Sequence, residues 1–589
     1  MASKDSKPHL TALSRNNDLP SESELQEAFE LRSQLQEDLL QVDTEIRQLK
    51  EKRAGIQKSI DTYNIILSPA RRLLPDILQE IFYHCLPDDH NPTLSAKEAP
   101  ILLTRICSVW RIIALTSPLI WARIHIPLPG TPSLSSRIGI FSSAANARRH
   151  LDFSKAMELR CQVVKDWLTR SGTCPLSISL SYPTGSFGTA EQWEVFDNAA
   201  NDVTEPLFRQ ILSFSSRWKH VELSMPFSVY QKLESHISGE ALPLLNSLRG
   251  YIERNEPFSQ DPAPFPLRFL EAPNLQRLSL YYPQLPYHNT ATFPPIWSRL
   301  TDLHIQTSIL DFDFYNIISL CRNLITCQVD DVEASWRAPD EQLPPQMEVI
   351  FPNLQLVRIC ESGGISHVVQ AINAPRLKSL NYRSRHYFDY TESHPTFLTR
   401  ADGLFTLVEK GASTLRKLTL EPQHMRSADI MTCLRLANKV SHLVLRSTSY
   451  VFNSEDDTLG DDFFDLHLLT IHKNVGRQDV LLPKLEVLEV DYICQFTDED
   501  VLHLLTSRLD AARHGDVVPL RRLKLQFARH RQRDITKEGY ERAKSAGYEL
   551  SLELDYPPDG LRYAGRLSPS FAIPIRRSFD EAWPPVLNW

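Results

Sequence analysis

The chain has 589 residues, 42% of them hydrophobic and 23% charged, which is ordinary soluble composition and enough for two to four domains. A formal net charge of −8 and a pI near 6.2 supply no field favouring phosphate backbones or anionic lipid, so general nucleic-acid or membrane-surface binding is disfavoured. Forty prolines against 19 glycines fit short strands joined by proline-punctuated loops better than a phosphate-cradling enzyme, which needs glycine where backbone approaches ligand.

No apolar run reaches the roughly 18 residues a spanning helix takes, and Met1–Pro20 is polar rather than signal-like, so the expected location is intracellular, cytoplasmic or nuclear. Nine cysteines, an odd number, lie without a C-x-x-C pair, in the pattern of reduced core thiols rather than a disulfide framework or zinc site. The one Asn-x-Ser/Thr triplet, Asn91-Pro92-Thr93, is blocked by its proline.

Residues 1–21 are polar and aperiodic and read as a disordered N-terminus. From Leu25 a heptad sets in: Leu25, Ala28, Arg32, Leu35, Leu39, Val42, Ile46, Leu49, Arg53, Ile56, Ile60 and Tyr63 alternate steps of three and four. That pattern predicts a coiled-coil helix over 22–66, capped by Ser21 or Ser23 and ended by Ser68-Pro69. Arg32 and Arg53 must snorkel or pair, which restricts register. Self-association and packing on the chain's own later domains both remain open.

Over 67–128 Leu73-Leu74-Pro75-Asp76-Ile77-Leu78-Gln79-Glu80-Ile81-Phe82 reads as a helix started by Pro75 and ended by His84-Cys85-Leu86-Pro87. Leu102, Leu103, Ile106, Val109, Trp110 and Ile113 predict a second helix that packs on it. Ser117-Pro118-Leu119-Ile120-Trp121 follows, then a strand-like Arg123–Ile126.

These blocks, Leu-x-Pro-x-Ile-Leu-x-Glu-Ile-Phe, Ile-Cys-x-x-Trp-Arg and Ser-Pro-x-x-Trp, resemble the F-box, in the form abundant in mushroom-forming (basidiomycete) fungi. Two departures stand out: Leu74 replaces the first proline of the usual pair, and Asp88–Pro100 is a longer polar insertion. The resemblance implies a helical module that binds the Skp-type adaptor, and through it a cullin, in an SCF-type ubiquitin ligase. The implied adaptor-binding or module-core positions are Leu73, Pro75, Ile77, Leu78, Ile81, Phe82, Val109 and Trp110. An ordinary helical hairpin capping a repeat domain is the plain alternative.

Residues 129–172 read as a Ser-rich linker and a helix from Met157 to Leu168, ending near Ser171-Gly172. Pro175–Leu180 is a period-two strand, and Trp167-Leu168-x-Arg170-Ser171-Gly172 onward resembles the segment that opens the repeats in the same fungal proteins. Across 173–556 the pattern apolar-x-x-apolar-x-apolar begins at Trp218, Leu275, Leu300, Leu324, Leu354, Leu377, Leu415, Val440, Leu485 and Leu520. A proline precedes the first apolar position by two at Pro273, Pro352, Pro375 and Pro483. Helical stretches fall between triplets at Phe312–Leu320, Ile365–Ile372, Leu404–Lys410, Ile430–Ala437 and Asp498–Ala511, then Thr536–Ala546 before a strand-like 550–554. Alternating strand and helix predicts an α/β fold, an irregular leucine-rich-repeat-like solenoid, with a tail over 557–589 rich in Pro, Arg and aromatics.

The motifs G-x-S-x-G, G-x-x-x-x-G-K, G-x-G-x-x-G and H-E-x-x-H do not occur. The expectation is a non-catalytic chain with no cofactor and no metal. Strand alternation sends residues flanking the apolar triplet to the opposite face. That face would carry Arg277, His304, Arg358, Arg383, Lys417, Arg446, Arg522 and Lys524 with Glu222, Glu421, Glu489 and Asp491. Arg358, Arg383, Lys417, Arg446, Arg522 and Lys524 are the candidate substrate-binding residues, suited to an acidic or phosphorylated degron, against the plainer reading of a mixed solvated face. Arg529, His530, Arg531 and Arg533 and the acidic run Glu455, Asp456, Asp457, Asp461 and Asp462 read as loops. The functional expectation is thus a ligase substrate receptor with a protein substrate. The alternatives are a coiled-coil scaffold without ligase association, which would oligomerise, and a nucleic-acid binder, which the charge opposes.

Overall fold

A computed structural model describes residues 19–128, 143–182, 204–237, 241–253, 268–281, 295–333, 347–362, 367–385, 402–421, 427–446, 466–471, 480–493, 496–527 and 529–556, with Leu10, Leu13 and Met425. Of the N-terminus read as disordered over 1–21 only Leu10, Leu13 and residues 19–21 are described, and the stretch 129–142, the acidic run at 455–462 and the tail 557–589 lie outside the described residues. The chain divides into two compact units, Met1–Ile81 and Phe82–Trp589.

The first unit is dominated by one helix, Glu22–Leu67. Its start is fixed by a capping box: the Ser21 N–H donates to Glu24 Oε2 at 2.8 Å, and the Glu24 N–H returns to Ser21 Oγ at 3.4 Å. Ser68 is its C-cap, and Pro69 opens the short 3-10 turn Pro69–Arg72 instead of a further helical turn. No residue of this helix is buried. Helix Pro75–His84 then begins at the predicted proline.

In the second unit the helix expected from Leu102 through Ile113 is two elements, a 3-10 turn Leu102–Arg105 and a helix Ser108–Leu115. Cys107 between them is extended (φ −155°, ψ 171°) and caps the helix, its Sγ accepting the Trp110 N–H at 3.4 Å. Steps of three and four cannot distinguish this kinked pair from one helix, and of the six positions expected inward only Leu103 and Ile113 are buried, with Trp110 half-buried.

The strands are β1 (Arg123–Pro127), β2 (Leu176–Ser181), β3 (Trp218–Pro226), β4 (Ser247–Glu253), β5 (Arg277–Tyr281), β6 (Asp302–Leu310), β7 (Thr326–Glu333) and β8 (Val349–Ile350). They continue with β9 (Leu356–Ser362), β10 (Ile372–Asn373), β11 (Ser379–Arg385), β12 (Lys417–Leu420), β13 (His442–Leu445), β14 (Val487–Ile493), β15 (Arg522–Phe527) and β16 (Ser551–Asp555). Among the described residues fourteen strands form one parallel sheet in strict chain order, while β8 and β10 make a separate parallel pair. A parallel sheet whose neighbours are always consecutive repeats is a solenoid, in which each unit buries its apolar face only by stacking on the next.

The register explains the triplets. Leu278, Leu303, Cys327, Val357, Leu380, Leu418, Leu443, Leu488, Leu523 and Leu552 are aligned partners across β5 to β16, and each is buried. The crossovers are of two kinds, helices such as Asp311–Leu320, Asp402–Gly411, Ser427–Leu436 and Asp498–Arg513, and short 3-10 turns such as Arg268–Glu271 and Pro295–Arg299. Mixed crossovers make the repeat period uneven.

Three boundaries differ from those expected. Strand β1, assigned by sequence to the F-box-like region, is the first strand of the sheet and pairs with β2. The segment expected as linker plus short helix is a crossover helix, Ser143–Arg170, reaching into what read as a Ser-rich loop. Strand β4 carries no apolar triplet, because Gly250 stands where the third apolar side chain belongs. A Cβ there would lie 3.0 Å from Leu280 Cδ2 on the neighbouring strand, so the position is filled from next door.

Candidate functional site

Two regions carry the candidate residues. In the first unit Leu73, Pro75, Ile77 and Ile81 are exposed, Ile77 by 50% and Ile81 by 38%, whereas Leu78 is buried at 2%. In the second unit Phe82 is fully buried and meets half-buried Trp110 at a tilt of 55°, ring centroids 4.9 Å apart, while Val109 is 57% and Ile112 64% exposed. Leu78 and Phe82 are therefore core and unavailable to a partner as they stand. Ile112 is a candidate that sequence reasoning passed over, although it follows Val109 by three on the same short helix.

The 3-10 turn Pro118–Trp121 anchors this module. The buried Trp121 indole donates to Ala114 O at 2.7 Å and meets Trp167 edge-on at 4.8 Å. The polar insertion is a clamp rather than a free loop. Pro92 O accepts the His125 N–H of β1 at 2.8 Å, buried Asn91 accepts from Ser177 at 2.9 Å and donates to Ser179 at 3.2 Å on β2, and Arg123 donates to His90 O at 2.5 Å. His90 is held between Asp89 and Glu98, 2.6 Å from each. Sequence showed the insertion but not its partners, of which Arg123 lies thirty-three residues on from His90 and Ser177 and Ser179 more than eighty from Asn91.

The second region is the face of the sheet opposite the aligned apolar ladder. Arg383 pairs with buried Glu421 of the next repeat, and Arg522 pairs with Glu553 at 3.0 Å. Arg358 is half-buried, and Lys417, Arg446 and Lys524 are exposed. Burial works against the Asp330 carboxylate, but the His304 hydrogen bond at 3.2 Å and the charges of Arg358 and Arg383 hold it below the usual carboxylate range. Burial raises Asp491 above that range in spite of Arg446 and Lys524. The six candidate cations thus lie among Asp330, Glu421, Glu489, Asp491 and Glu553, so the concentration of positive charge expected in the middle and late repeats is largely neutralised.

His220 and His304 are hydrogen-bonded, whereas among the described residues His442 has only an ion-pair contact. His220 lies 3.2 Å from Arg277, and burial, with Arg277, pushes it down to about 4. His442 is lowered chiefly by burial, with Glu489 at 3.4 Å opposing. The Arg529–Arg533 cluster closes the last repeats: Arg529 donates to Asp498 at 2.7 Å and lies over Phe527, while Arg533 pairs with Glu499 and Glu538. Among the described residues no group of three or more His, Cys, Asp or Glu could hold a metal ion, and no helix is long and apolar enough to cross a membrane.

No protein-family model matches the chain, and no curated protein matches it. Among solved structures, the crystal structure of the Rad7 and Elc1 complex in yeast contains a similar chain, at 15% identity over 76% of this chain and 83% of that one. The TM-score is 0.30, a likeness too loose to argue from, so the fold assignment stands on the strand order and register alone.

Proposed function

We propose that this chain is the substrate-recognition subunit of an SCF-type cullin–RING ubiquitin ligase, its F-box-like module taking the Skp-type adaptor and its repeat sheet taking a protein substrate. The observation that carries the reading is that positions matching the F-box pattern are left apolar and uncovered within each unit taken by itself, Ile77 and Ile81 in the first and Val109, beside the buried Phe82, in the second. Exposed large apolar side chains in such number mark an interaction surface. On this reading the thioester chemistry belongs to other subunits, and the chain contributes position, raising the substrate's effective concentration at the transferring cysteine.

Pull-down of the full chain with the Skp-type adaptor tests the proposal. Wild type is expected to retain adaptor, and Pro75→Asp with Ile81→Asp to lose it while the melting of the repeat sheet is unchanged. Absence of adaptor from the wild-type sample sinks the reading. The mixed charges on the sheet face favour a substrate bearing both signs over a purely acidic or phosphorylated degron.

A second reading, a coiled-coil and repeat scaffold without ligase association, is favoured by the uncovered seam of helix Glu22–Leu67. It predicts oligomers without adaptor.

A further inference from the structure

Helix Glu22–Leu67 leaves every described apolar seam position open, from 43% at Ile46 to 65% at Leu49. A helix about 69 Å long at 1.5 Å per residue, amphipathic by heptad and with nothing buried, draws little stability from itself and needs a partner along its length. The steps of the heptad place Leu25, Arg32, Leu39, Ile46, Arg53 and Ile60 at one set of core positions and Ala28, Leu35, Val42, Leu49, Ile56 and Tyr63 at the other.

Charge along the helix is strongly asymmetric. Residues 22–45 hold eight acids against one arginine, and residues 46–67 hold five bases against two acids. A parallel pair would set acidic half against acidic half. It would also place Arg32 against Arg32 and Arg53 against Arg53 in the core, and Asp38 against Asp43 across the flank.

We propose that this helix pairs antiparallel with the same helix of a second copy of the chain, centred on residue 44. In that register all twelve seam positions find a partner: Leu25 meets Tyr63, Leu39 meets Leu49, and Ile46 meets Val42. Arg32 then lies opposite Ile56 and Arg53 opposite Leu35, so the like charges separate and each guanidinium snorkels past an aliphatic side chain. Asp38 flanks Lys52 of the second copy, twice by symmetry. The like-charge contacts that remain are at the two-fold axis, where Glu45 and Asp43 each meet their own copy. The two chains leave the paired helices at opposite ends. The inference does not depend on the ligase reading.

Light scattering on the full chain, at micromolar concentration, is expected to give twice the 67.5 kDa chain mass. Leu39→Asp with Ile46→Asp should return it to the monomer while the melting of the repeat sheet is unchanged. For orientation, exposed Cys85 and Cys107 are first changed to serine. Ala28→Cys mixed with Ile60→Cys should then form a disulfide between the two chains, and neither variant alone should. A monomeric wild type, or Ala28→Cys crosslinking to itself, overturns the proposal. Adaptor binding plays no part in either readout, so failure here and failure of the ligase reading are separable.

Discussion

The hydroxyl of Tyr382 on β11 donates to Glu361 Oε2 on β9 at 2.7 Å, and both side chains are buried on the ladder side of the sheet. Glu361 Oε1 has no hydrogen-bond partner among the described residues. Burial, partly offset by the Tyr382 hydrogen bond, pushes the Glu361 carboxyl up to about 8.

A carboxyl whose folded pKa exceeds its ordinary value of 4.5 binds its proton more tightly in the folded chain. Its contribution to stability is therefore full below pH 4.5 and is lost as the pH rises towards 8. Glu361→Gln keeps a neutral side chain of the same shape at every pH. Thermal unfolding of wild type and variant should coincide near pH 4.5 and diverge upward, the variant being more stable at pH 8. Parallel curves across that window would show that Glu361 is not held neutral.

Arg508 is buried at 1% exposure, and its guanidinium donates to Leu469 O at 2.9 Å, Leu481 O at 2.8 Å and Leu482 O at 3.3 Å. It ties helix Asp498–Arg513 to a segment in which Leu482 holds φ of 49°, a conformation L residues rarely take. Arg508→Met removes three donors from buried carbonyls, and the expected loss is about 3–5 kcal/mol. Urea unfolding measures it, and a loss under about 1 kcal/mol would mean that water replaces the guanidinium.

Gly250→Leu completes the apolar triplet of β4 yet is expected to destabilise the chain by about 1–3 kcal/mol, because the new side chain overpacks against Leu280. Gly250→Leu with Leu280→Ala should recover part of that loss. Denaturant midpoints of the single and double variants decide it.

Asn91→Ala should strip the insertion from β2, since Asn91 is buried and bridges Ser177 and Ser179. The expected cost is about 1–3 kcal/mol, from the buried Ser177 hydroxyl left without its acceptor, while Ser179 keeps its hydrogen bond to His125. Amide exchange at β1 should accelerate, His125 most of all, because its N–H is held by Pro92 O of the same segment. Unchanged protection at His125 would show that the clamp does not depend on Asn91.

Local chemistry determined much of this protein without help from tertiary contacts. The long helix, its Ser21 cap and its end at Ser68-Pro69 follow from heptad spacing, side-chain capping and the steric demand of proline, all settled within one turn of the residue concerned. The strands carrying an apolar triplet were legible because aligned repeats bury the same positions on every strand.

What sequence could not decide depends on partners distant along the chain. Gly250 hid a strand because its place is filled by Leu280, thirty residues later. The break at Cys107 and the docking of Asn91 onto β2 depend on packing that no local period encodes. The six candidate cations on the sheet face read as positive charge when taken one repeat at a time. The mixed face was already the plainer alternative in the sequence, and the lateral register decided which acid meets which cation, Glu421 beside Arg383 and Glu553 beside Arg522, because those partners lie on neighbouring strands.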